Sequence, residues 1–408
     1  PGHNAGGWVD TGGMRYLDRY AEQLWLTLFA KAPEITLFDF RQMQISLQER
    51  HRAPWQGQGT SLDFEAVVGP FKGDDGSFAP ELTVARVAGW SLEKIDPIVG
   101  QLGEPVGVKS YKPYHSTREG FLHNFMGMGG IPIDLRPQFP TEAPLVLLTG
   151  AASHDPDIVE KIEGQLRAGK NVMITSGLLD ALEGKGIEQI AELEVLDRRA
   201  FVEDFRVGWG PPAKASKKIL IPQIRYFTND SWSLIDAVDG PMGWPLLHDA
   251  DYAGGHLYVW TIPDNPADLY ALPEAALDMI RRIATEGLGV RMDGPAEVSL
   301  LLYDNDTLIV ESFRDEAAEV KLVVEGDLTG LEDLETGEPL SGEAVPEGRG
   351  RLFRPGDSGH LREVLAEIVA EIRQRRGGRL EADTSIPDVP GHYEWLRGTY
   401  QELAGGHD

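Results

Sequence analysis

Residues 146–179 read VLLTGAASHDPDIVEKIEGQLRAGKNVMITSGLL. Two short apolar runs, 144–150 and 171–177, enclose a segment in which Asp155 suits the N-cap of a helix and Gly169 its C-cap. Continuous apolar strands separated by helices are typical of a parallel sheet covered on both faces. This stretch therefore predicts a strand–helix–strand unit inside an α/β domain.

The same alternation extends along the chain in both directions. Further strands are predicted at 105–108, 131–135 and 256–263, less regular strands at 193–206 and 218–227, and a closing helix at 273–286. Together these segments predict an α/β domain at 104–290 with a mainly parallel sheet.

The flanking regions have different patterns. Residues 14–32 place apolar side chains at helical spacing, and EITLFDF at 34–40 is a predicted strand, so this pair is an α/β unit without neighbours. After residue 294 the period becomes alternating, which predicts a small antiparallel β-sandwich. The predicted divisions are an α/β unit at 1–50, a linker with a helix from Gly89 to Leu102 at 51–103, the α/β domain at 104–290, the sandwich at 291–355 and a helical tail at 356–408.

Composition excludes several classes of function. A net charge of −27 argues against nucleic acid and anionic membrane partners, whereas a neutral sugar is compatible with it. The absence of cysteine excludes disulfides, zinc–thiolate sites and a cysteine nucleophile. No apolar run is long enough to span a membrane and no signal-peptide pattern is present, so we expect a soluble protein, with the cytoplasm favoured over secretion.

Two segments resemble known proteins. YAEQLWLTLFAKAPEITLFDF at 20–40 resembles the last unit of a (β/α)8 barrel in glycoside hydrolases of the family 42 β-galactosidase type. Those enzymes continue into a flavodoxin-like, doubly wound domain of the class I glutamine-amidotransferase kind and then into a small β domain. The order here is the same, with LLLYDNDTLIVESF at 300–313 in the β domain, so the resemblance covers 1–355.

The resemblance implies a glycoside hydrolase that cleaves O-glycosidic bonds of a neutral oligo- or polysaccharide with two carboxyl groups. It implies no cofactor, and either a homo-oligomer or a second chain that completes the barrel. The alternative is a non-catalytic module for carbohydrate binding or oligomerisation. The earlier barrel strands, which carry the paired carboxylates in the family, are absent from this chain.

The amidotransferase chemistry is not expected. Its nucleophile is a cysteine, which this chain lacks. Ser176 follows a predicted strand, but Ile174 and Leu178 stand where a G-x-S-x-G nucleophile elbow needs glycine. We therefore predict no catalytic triad around Ser176.

The carboxylates nearest a barrel mouth are Asp10, in a loop with Trp8, and Asp39, at the end of the predicted strand. Barrel chemistry lies at the carboxyl ends of strands, so Asp10 and Asp39 are the candidate catalytic residues, with Trp8 and Arg41 as candidate substrate contacts. In the alternative interpretation, Asp39 pairs with Arg41 or with a neighbouring strand and only shapes the rim of the barrel.

The polar aromatic segment KSYKPYHSTREGFLHNFMGMGG at 109–130 follows the first strand of the α/β domain, where such sheets bind ligands. Aromatic rings stack on sugar faces, and charged or amide groups bind hydroxyls. The alternative is a domain interface. The candidate substrate-binding residues are Tyr111, Tyr114, His115, Glu119, His123 and Asn124.

A last cluster, His248-Asp249-x-Asp251-x4-His256, offers metal-binding residue types. Its spacing matches no known motif, so a polar bend before the strand at 256 is the prediction, with no metal site. There is also no P-loop or G-x-G-x-x-G to hold a nucleotide.

Overall fold

The structure is a computed structural model. It describes residues 3–4, 24–32, 35–37, 40–45, 83–227, 230–314, 318–324, 331–333 and 352–355. The chain divides into two compact units, of which the second comprises Val106–Leu300 and Val320–Asp327. The part of the predicted linker at 51–82, the charged tail from 356, and the candidates Trp8, Asp10 and Asp39 lie outside the described residues.

The first unit is built around buried aromatic side chains. Trp25 donates its indole N–H to Ser91 O at 2.8 Å, and the hydroxyl of Tyr303 donates to Phe29 O at 2.9 Å. These bonds satisfy polar atoms that would otherwise be costly to bury. The elements before residue 100 are β1 (His3–Asn4), α1 (24–29), β2 (Ile35–Thr36), α2 (Phe40–Met43) and α3 (Val84–Val99).

Two predicted elements of this unit have different bounds in the structure. Within the described residues of the strand predicted at 34–40, Ile35–Thr36 form β2, which pairs in parallel with β1, whereas Phe40 already begins α2. Helix α3 begins at Val84 rather than Gly89, because Val84 and Val87 extend its buried face by more than one turn.

The second unit contains a nine-stranded sheet with the order β5-β4-β6-β7-β12-β11-β10-β8-β9. Its strands are β4 (Val108–Tyr111), β5 (Ile133–Arg136), β6 (Leu145–Leu148), β7 (Asn171–Thr175), β8 (Leu193–Val207), β9 (Ala213–Tyr226), β10 (Ser231–Asp239), β11 (Met242–Tyr252) and β12 (Gly255–Trp260). Its helices are α4 (Leu122–Met128), α5 (Ile158–Arg167), α6 (Ser176–Ala181) and α7 (Glu274–Ala284).

The parallel half of this sheet has the predicted form. Strands β4, β5, β6, β7 and β12 run parallel, and every residue of β6 is buried. Helix α5 buries Ile158, Ile162 and Leu166 at helical spacing. The N-cap residue is Asp157 rather than the predicted Asp155, whose carboxylate accepts from the Asp157 amide in the turn before the helix. Gly169 follows the C-cap residue Ala168 with a φ of 73°, so the predicted glycine does end the helix.

The other half of the sheet is antiparallel, so the prediction of a mainly parallel sheet is wrong. Strands β11, β10, β8 and β9 are joined by antiparallel ladders with irregularities in β8 and β10. Strands β10 and β11 were not predicted, because SWSLIDAVD at 231–239 mixes polar and apolar residues without a strong period. The predicted polar bend at 248–251 lies within β11. The unit is therefore a mixed α/β domain.

Two smaller sheets follow. Strand β13 (Val290–Asp293) pairs antiparallel with β16 (Lys321–Val324). The other sheet has the order β17-β18-β15-β14-β3, with β3 (Pro105–Val106), β14 (Val298–Tyr303), β15 (Leu308–Ser312), β17 (Leu331–Asp333) and β18 (Leu352–Pro355). VKLVVEG thus lies in a different sheet from VSLLLYDN. No helix within the described residues is both long and apolar enough to cross a bilayer.

Candidate functional site

The loop at 112–121 leaves the carboxyl end of β4, and the segment at 149–157 leaves that of β6. The chain passes from β4 to β5 on one side and then to β6 on the other, so the strand order reverses between β4 and β6. Ligands of open α/β sheets bind in the crevice outside the carboxyl ends of strands at such a switch point. The strand order therefore makes this loop a candidate ligand-binding site, as the sequence pattern also did.

The loop holds an unusual backbone conformation. His115, Arg118 and Glu119 have φ values of 59°, 66° and 48°, a region that costs non-glycine residues about 1–2 kcal/mol each. Such conformations persist only when surrounding contacts fix them. Within the loop, Ser116 donates its hydroxyl to Pro113 O at 2.6 Å, and Thr117 Oγ1 lies 3.3 Å from His154 Nε2.

The strongest of these contacts come from Glu119. One carboxylate oxygen, Oε2, accepts from the Gly150 amide at 2.5 Å and from the Thr175 hydroxyl at 2.7 Å. The Thr175 hydroxyl in turn accepts from the Leu178 amide and so caps α6. Glu119 therefore ties the loop to the carboxyl ends of both β6 and β7.

Glycines make room for this carboxylate. A Cβ on Gly177 would lie 2.2 Å from Glu119 Oε1, and one on Gly150 would lie 3.1 Å from Oε2. Burial raises the pKa of Glu119, although hydrogen bonds from Gly150 and Thr175 and the charge of Arg118 act in the opposite direction. The predicted substrate contact of Glu119 stays a prediction, but its described hydrogen bonds are all inside the domain.

Tyr111 is also directed inward. It is 6% exposed, its ring meets Phe139 edge-on at 5.5 Å, and its hydroxyl donates to Asp155 at 2.8 Å. Lys161 pairs with the same carboxylate at 2.5 Å. Burial alone would raise the pKa of Asp155, but the hydrogen bonds from Lys161 and Tyr111 lower it. Tyr111 thus packs and bonds within the core.

His123 occupies a similar internal position on α4. Its Nε2 lies 2.8 Å from Ser110 Oγ, and the Ser110 hydroxyl donates to Leu147 O at 2.9 Å. Because that hydroxyl has a single proton, the ring nitrogen is the donor to Ser110. Burial, with a smaller contribution from Lys112, lowers the pKa of His123 to about 4, so the ring is neutral near pH 7.

Other side chains of the loop face solvent. Tyr114 is 72% exposed and Phe121 is 77% exposed, and His115 is also exposed, as is Asn124 on the following helix α4. The sequence prediction missed Phe121, although it stands in the same aromatic segment. A strained, anchored loop therefore presents two large aromatic side chains outward.

The structure describes some of the remaining candidate residues but not all of them. Arg41 is exposed on α2. The roles expected of Trp8, Asp10 and Asp39 stay predictions, because these three lie outside the described residues. Ser176 is 3% exposed and its hydroxyl oxygen accepts from the Ile262 amide at 3.0 Å. Within the described residues it makes no hydrogen bond to a histidine, and the absence of a triad stays a prediction.

Three family models match successive parts of the chain. Residues 1–101 match the catalytic domain of a probable glycosyl hydrolase, residues 103–265 match the second domain of the uncharacterized protein SSO3021, and residues 289–358 match the C-terminal domain of a probable glycosyl hydrolase. No protein of curated function matches the chain significantly.

Several solved structures are similar to the chain at low identity. A catalytic mutant of the family 42 β-galactosidase Gan42B from G. stearothermophilus is 12% identical, with 86% of this chain and 52% of that one covered and a TM-score of 0.45. The β-galactosidase of Bacillus circulans sp. alkalophilus is 12% identical, with 87% and 55% covered and a TM-score of 0.46. α-L-Fucosidase isoenzyme 2 of Paenibacillus thiaminolyticus is 13% identical, with 87% and 58% covered and a TM-score of 0.46.

The chain spans about half the length of these solved glycosidases. The glycosyl hydrolase models match both ends of the chain, on either side of the α/β domain. The family models confirm the predicted resemblance to glycoside hydrolases, and family 42 β-galactosidases are among the solved structures that are similar to the chain.

Proposed function

We propose that this chain is the C-terminal portion of a glycoside hydrolase that cleaves O-glycosidic bonds of a neutral oligo- or polysaccharide. The observation that carries the proposal is the match of residues 1–101 to a glycosyl hydrolase catalytic domain, together with the match of 289–358 to a glycosyl hydrolase C-terminal domain. The net charge of −27 suits a neutral substrate better than a polyanion.

The chemistry of the proposal needs two carboxyl groups. One protonates the leaving oxygen, and the other attacks the anomeric carbon or activates a water molecule. Asp10 and Asp39 are the carboxylates proposed for this chain, because both lie in the range that matches the catalytic domain. Replacing Asp39 by Asn should lower any hydrolysis of aryl galactosides by at least tenfold, while Asp180→Asn at an exposed helix position serves as the control.

The aromatic loop at 112–121 is proposed to contact the sugar. The five parallel strands, numbered in chain order, follow the sequence 2-1-3-4-5, which supports a flavodoxin-like half with its ligand crevice at β4 and β6. Tyr114 is the proposed stacking platform and His115 a proposed hydroxyl contact. The anchor at Glu119 supports this role, since a fixed loop loses little conformational entropy on binding.

The test is to measure oligosaccharide affinity and melting temperature on the same Tyr114→Ala protein. Loss of a stacking ring should weaken binding by about 1–3 kcal/mol, or about 5- to 150-fold, without changing the melting temperature. Trp209→Ala is a matched control, because this tryptophan is fully exposed on the β8–β9 turn. A lower melting temperature with intact affinity would instead assign Tyr114 to an interface.

A specific observation favours the alternative, a non-catalytic module that associates with a second copy. Phe201 and Leu220 stand directly opposite each other on β8 and β9, and they are 60% and 37% exposed. An exposed cross-strand apolar pair is typical of an association surface. If this surface joins two copies, Phe201→Lys should halve the mass measured by light scattering, whereas Met242→Lys at the exposed start of β11 should not.

A further inference from the structure

The hairpin of β11 and β12 brings metal-binding side chains together. Asp249 and Asp251 are two residues apart on β11 and share one face of the sheet. The antiparallel register places His256 of β12 directly opposite Asp251, and Tyr258 opposite Asp249. The sequence spacing hides this arrangement, because the tight turn at Ala253 and Gly254 folds the two strands together.

The donor atoms converge on one point. His256 Nδ1 lies 3.0 Å from Asp249 Oδ1 and 3.0 Å from Asp251 Oδ1, and the ligand atoms of all three residues lie within 4.8 Å of one another. A ring nitrogen carries at most one proton, so one N–H faces two anionic acceptors. Hydrogen bonding fully satisfies only one of the two contacts.

The spacing suits a metal ion. With bonds of about 2.1 Å, two donors 3.0 Å apart subtend about 90° at a shared cation, the angle between neighbouring ligands of an octahedron. Two carboxylate oxygens and one imidazole form a donor set for Mn²⁺ or Zn²⁺. Mg²⁺ prefers oxygen ligands alone and is disfavoured here.

One ligand of the candidate metal site is buried, and the other two are open to solvent. The Asp249 side chain is 7% exposed, whereas those of Asp251 and His256 are 52% and 42% exposed. The His256 ring stacks on Tyr258 with the ring centroids 5.8 Å apart and the planes 9° from parallel, and the His256 amide donates to Asn171 Oδ1 at 3.1 Å. The ligands are thus held in place, with solvent access for further coordinating waters.

We propose that Asp249, Asp251 and His256 bind a divalent transition-metal cation. His248, which the sequence grouped with these residues, is not part of the site. It is fully buried, its ring lies 4.6 Å from that of Tyr226, and it projects from the face of β11 opposite to its neighbour Asp249. This inference is independent of the proposed hydrolase function.

The test uses the full chain after chelator treatment and dialysis. Titration with Mn²⁺, followed by electron paramagnetic resonance of the free ion, should show one saturable site, and Zn²⁺ should compete for it far better than Mg²⁺. Asp251→Asn and His256→Gln should each weaken Mn²⁺ binding by at least tenfold. Asp239→Asn, at the exposed end of β10 in the same unit, should leave it unchanged.

Both ligand variants change partly exposed side chains, so both should fold, and their melting temperatures without metal verify this. Absence of saturable binding would overturn the proposal and leave an ordinary Asp–His–Asp hydrogen-bonded cluster. Binding that is equal in the wild type and in both ligand variants would also overturn it, because the ions would then be held by the acidic surface elsewhere.

Discussion

Replacing Gly177 by Ala tests whether Glu119 is the anchor of the aromatic loop. The new Cβ would lie 2.2 Å from Glu119 Oε1 and 2.7 Å from its Cδ, where ordinary contacts begin at 3.4 Å. Either the collision remains, at a cost of about 1–3 kcal/mol, or the carboxylate moves and weakens its bonds to Gly150 and Thr175, worth about 1.5–3 kcal/mol each. The cheaper route sets the cost, so we expect a loss of about 2 kcal/mol in the free energy of unfolding.

Gly177→Ala should not destabilise a protein that lacks the Glu119 carboxylate. In a Glu119→Ala background, Gly177→Ala removes no contact and should stabilise α6 by about 0.5–1 kcal/mol. Urea unfolding of the four proteins gives the coupling energy between the two positions, expected to be about 2–3 kcal/mol. Gly164→Ala on α5 is the control, because nothing lies within 4 Å of its Cβ and a small gain is expected. The anchor would be refuted if Gly177→Ala had the same effect in both backgrounds.

Three further changes probe hydrogen-bonded polar groups of the second unit. Burial raises the pKa of Glu119 in the folded state, so the wild type loses stability as pH rises from the unfolded-state pKa through the folded-state pKa. The melting temperature of Glu119→Gln should therefore rise relative to the wild type over that pH interval. A difference in melting temperature that does not depend on pH would contradict this. Tyr111→Phe removes the hydrogen bond to Asp155 and should lower the free energy of unfolding in urea by about 1–2 kcal/mol, with sugar affinity unchanged. Weaker sugar binding with unchanged stability would instead make Tyr111 a ligand contact. Arg281→Met should cost about 3–5 kcal/mol, because this fully buried guanidinium bonds Gly129 O and Asp278; a loss below about 1 kcal/mol would show that apolar packing replaces it.

Local signals in the sequence were sufficient for the parallel half of the sheet. The apolar runs of β6 and β7 and the glycine at 169 each specify a local geometry, and the structure contains all of them, although the N-cap between them is Asp157 rather than Asp155. The antiparallel half combines local hairpins with a distant pairing. Strands β10 and β11 form a hairpin but alternate weakly, and β10 also pairs with β8, which lies about 30 residues earlier in the sequence. Their existence could not be inferred from the segment alone.

The candidate site was predicted as a segment, but not side chain by side chain. The position of the loop after β4 follows from the strand order, and its aromatic content is visible in the sequence. Which side chains point inward depends on tertiary contacts: Glu119 reaches Gly150 and Thr175, and His123 reaches Ser110. The cluster at His256 shows the same limit, because a hairpin joins residues whose spacing matches no motif.

Hydrogen–deuterium exchange of the loop amides, with and without a bound neutral oligosaccharide, tests the central claim most directly. If residues 112–121 contact the sugar, exchange in this segment should slow when the ligand is bound, while β8 and β9 remain unchanged. The Tyr114→Ala protein should lose that protection at the same ligand concentration. Sugar binding that leaves the exchange of 112–121 unchanged would contradict the account and place the carbohydrate site elsewhere on the chain.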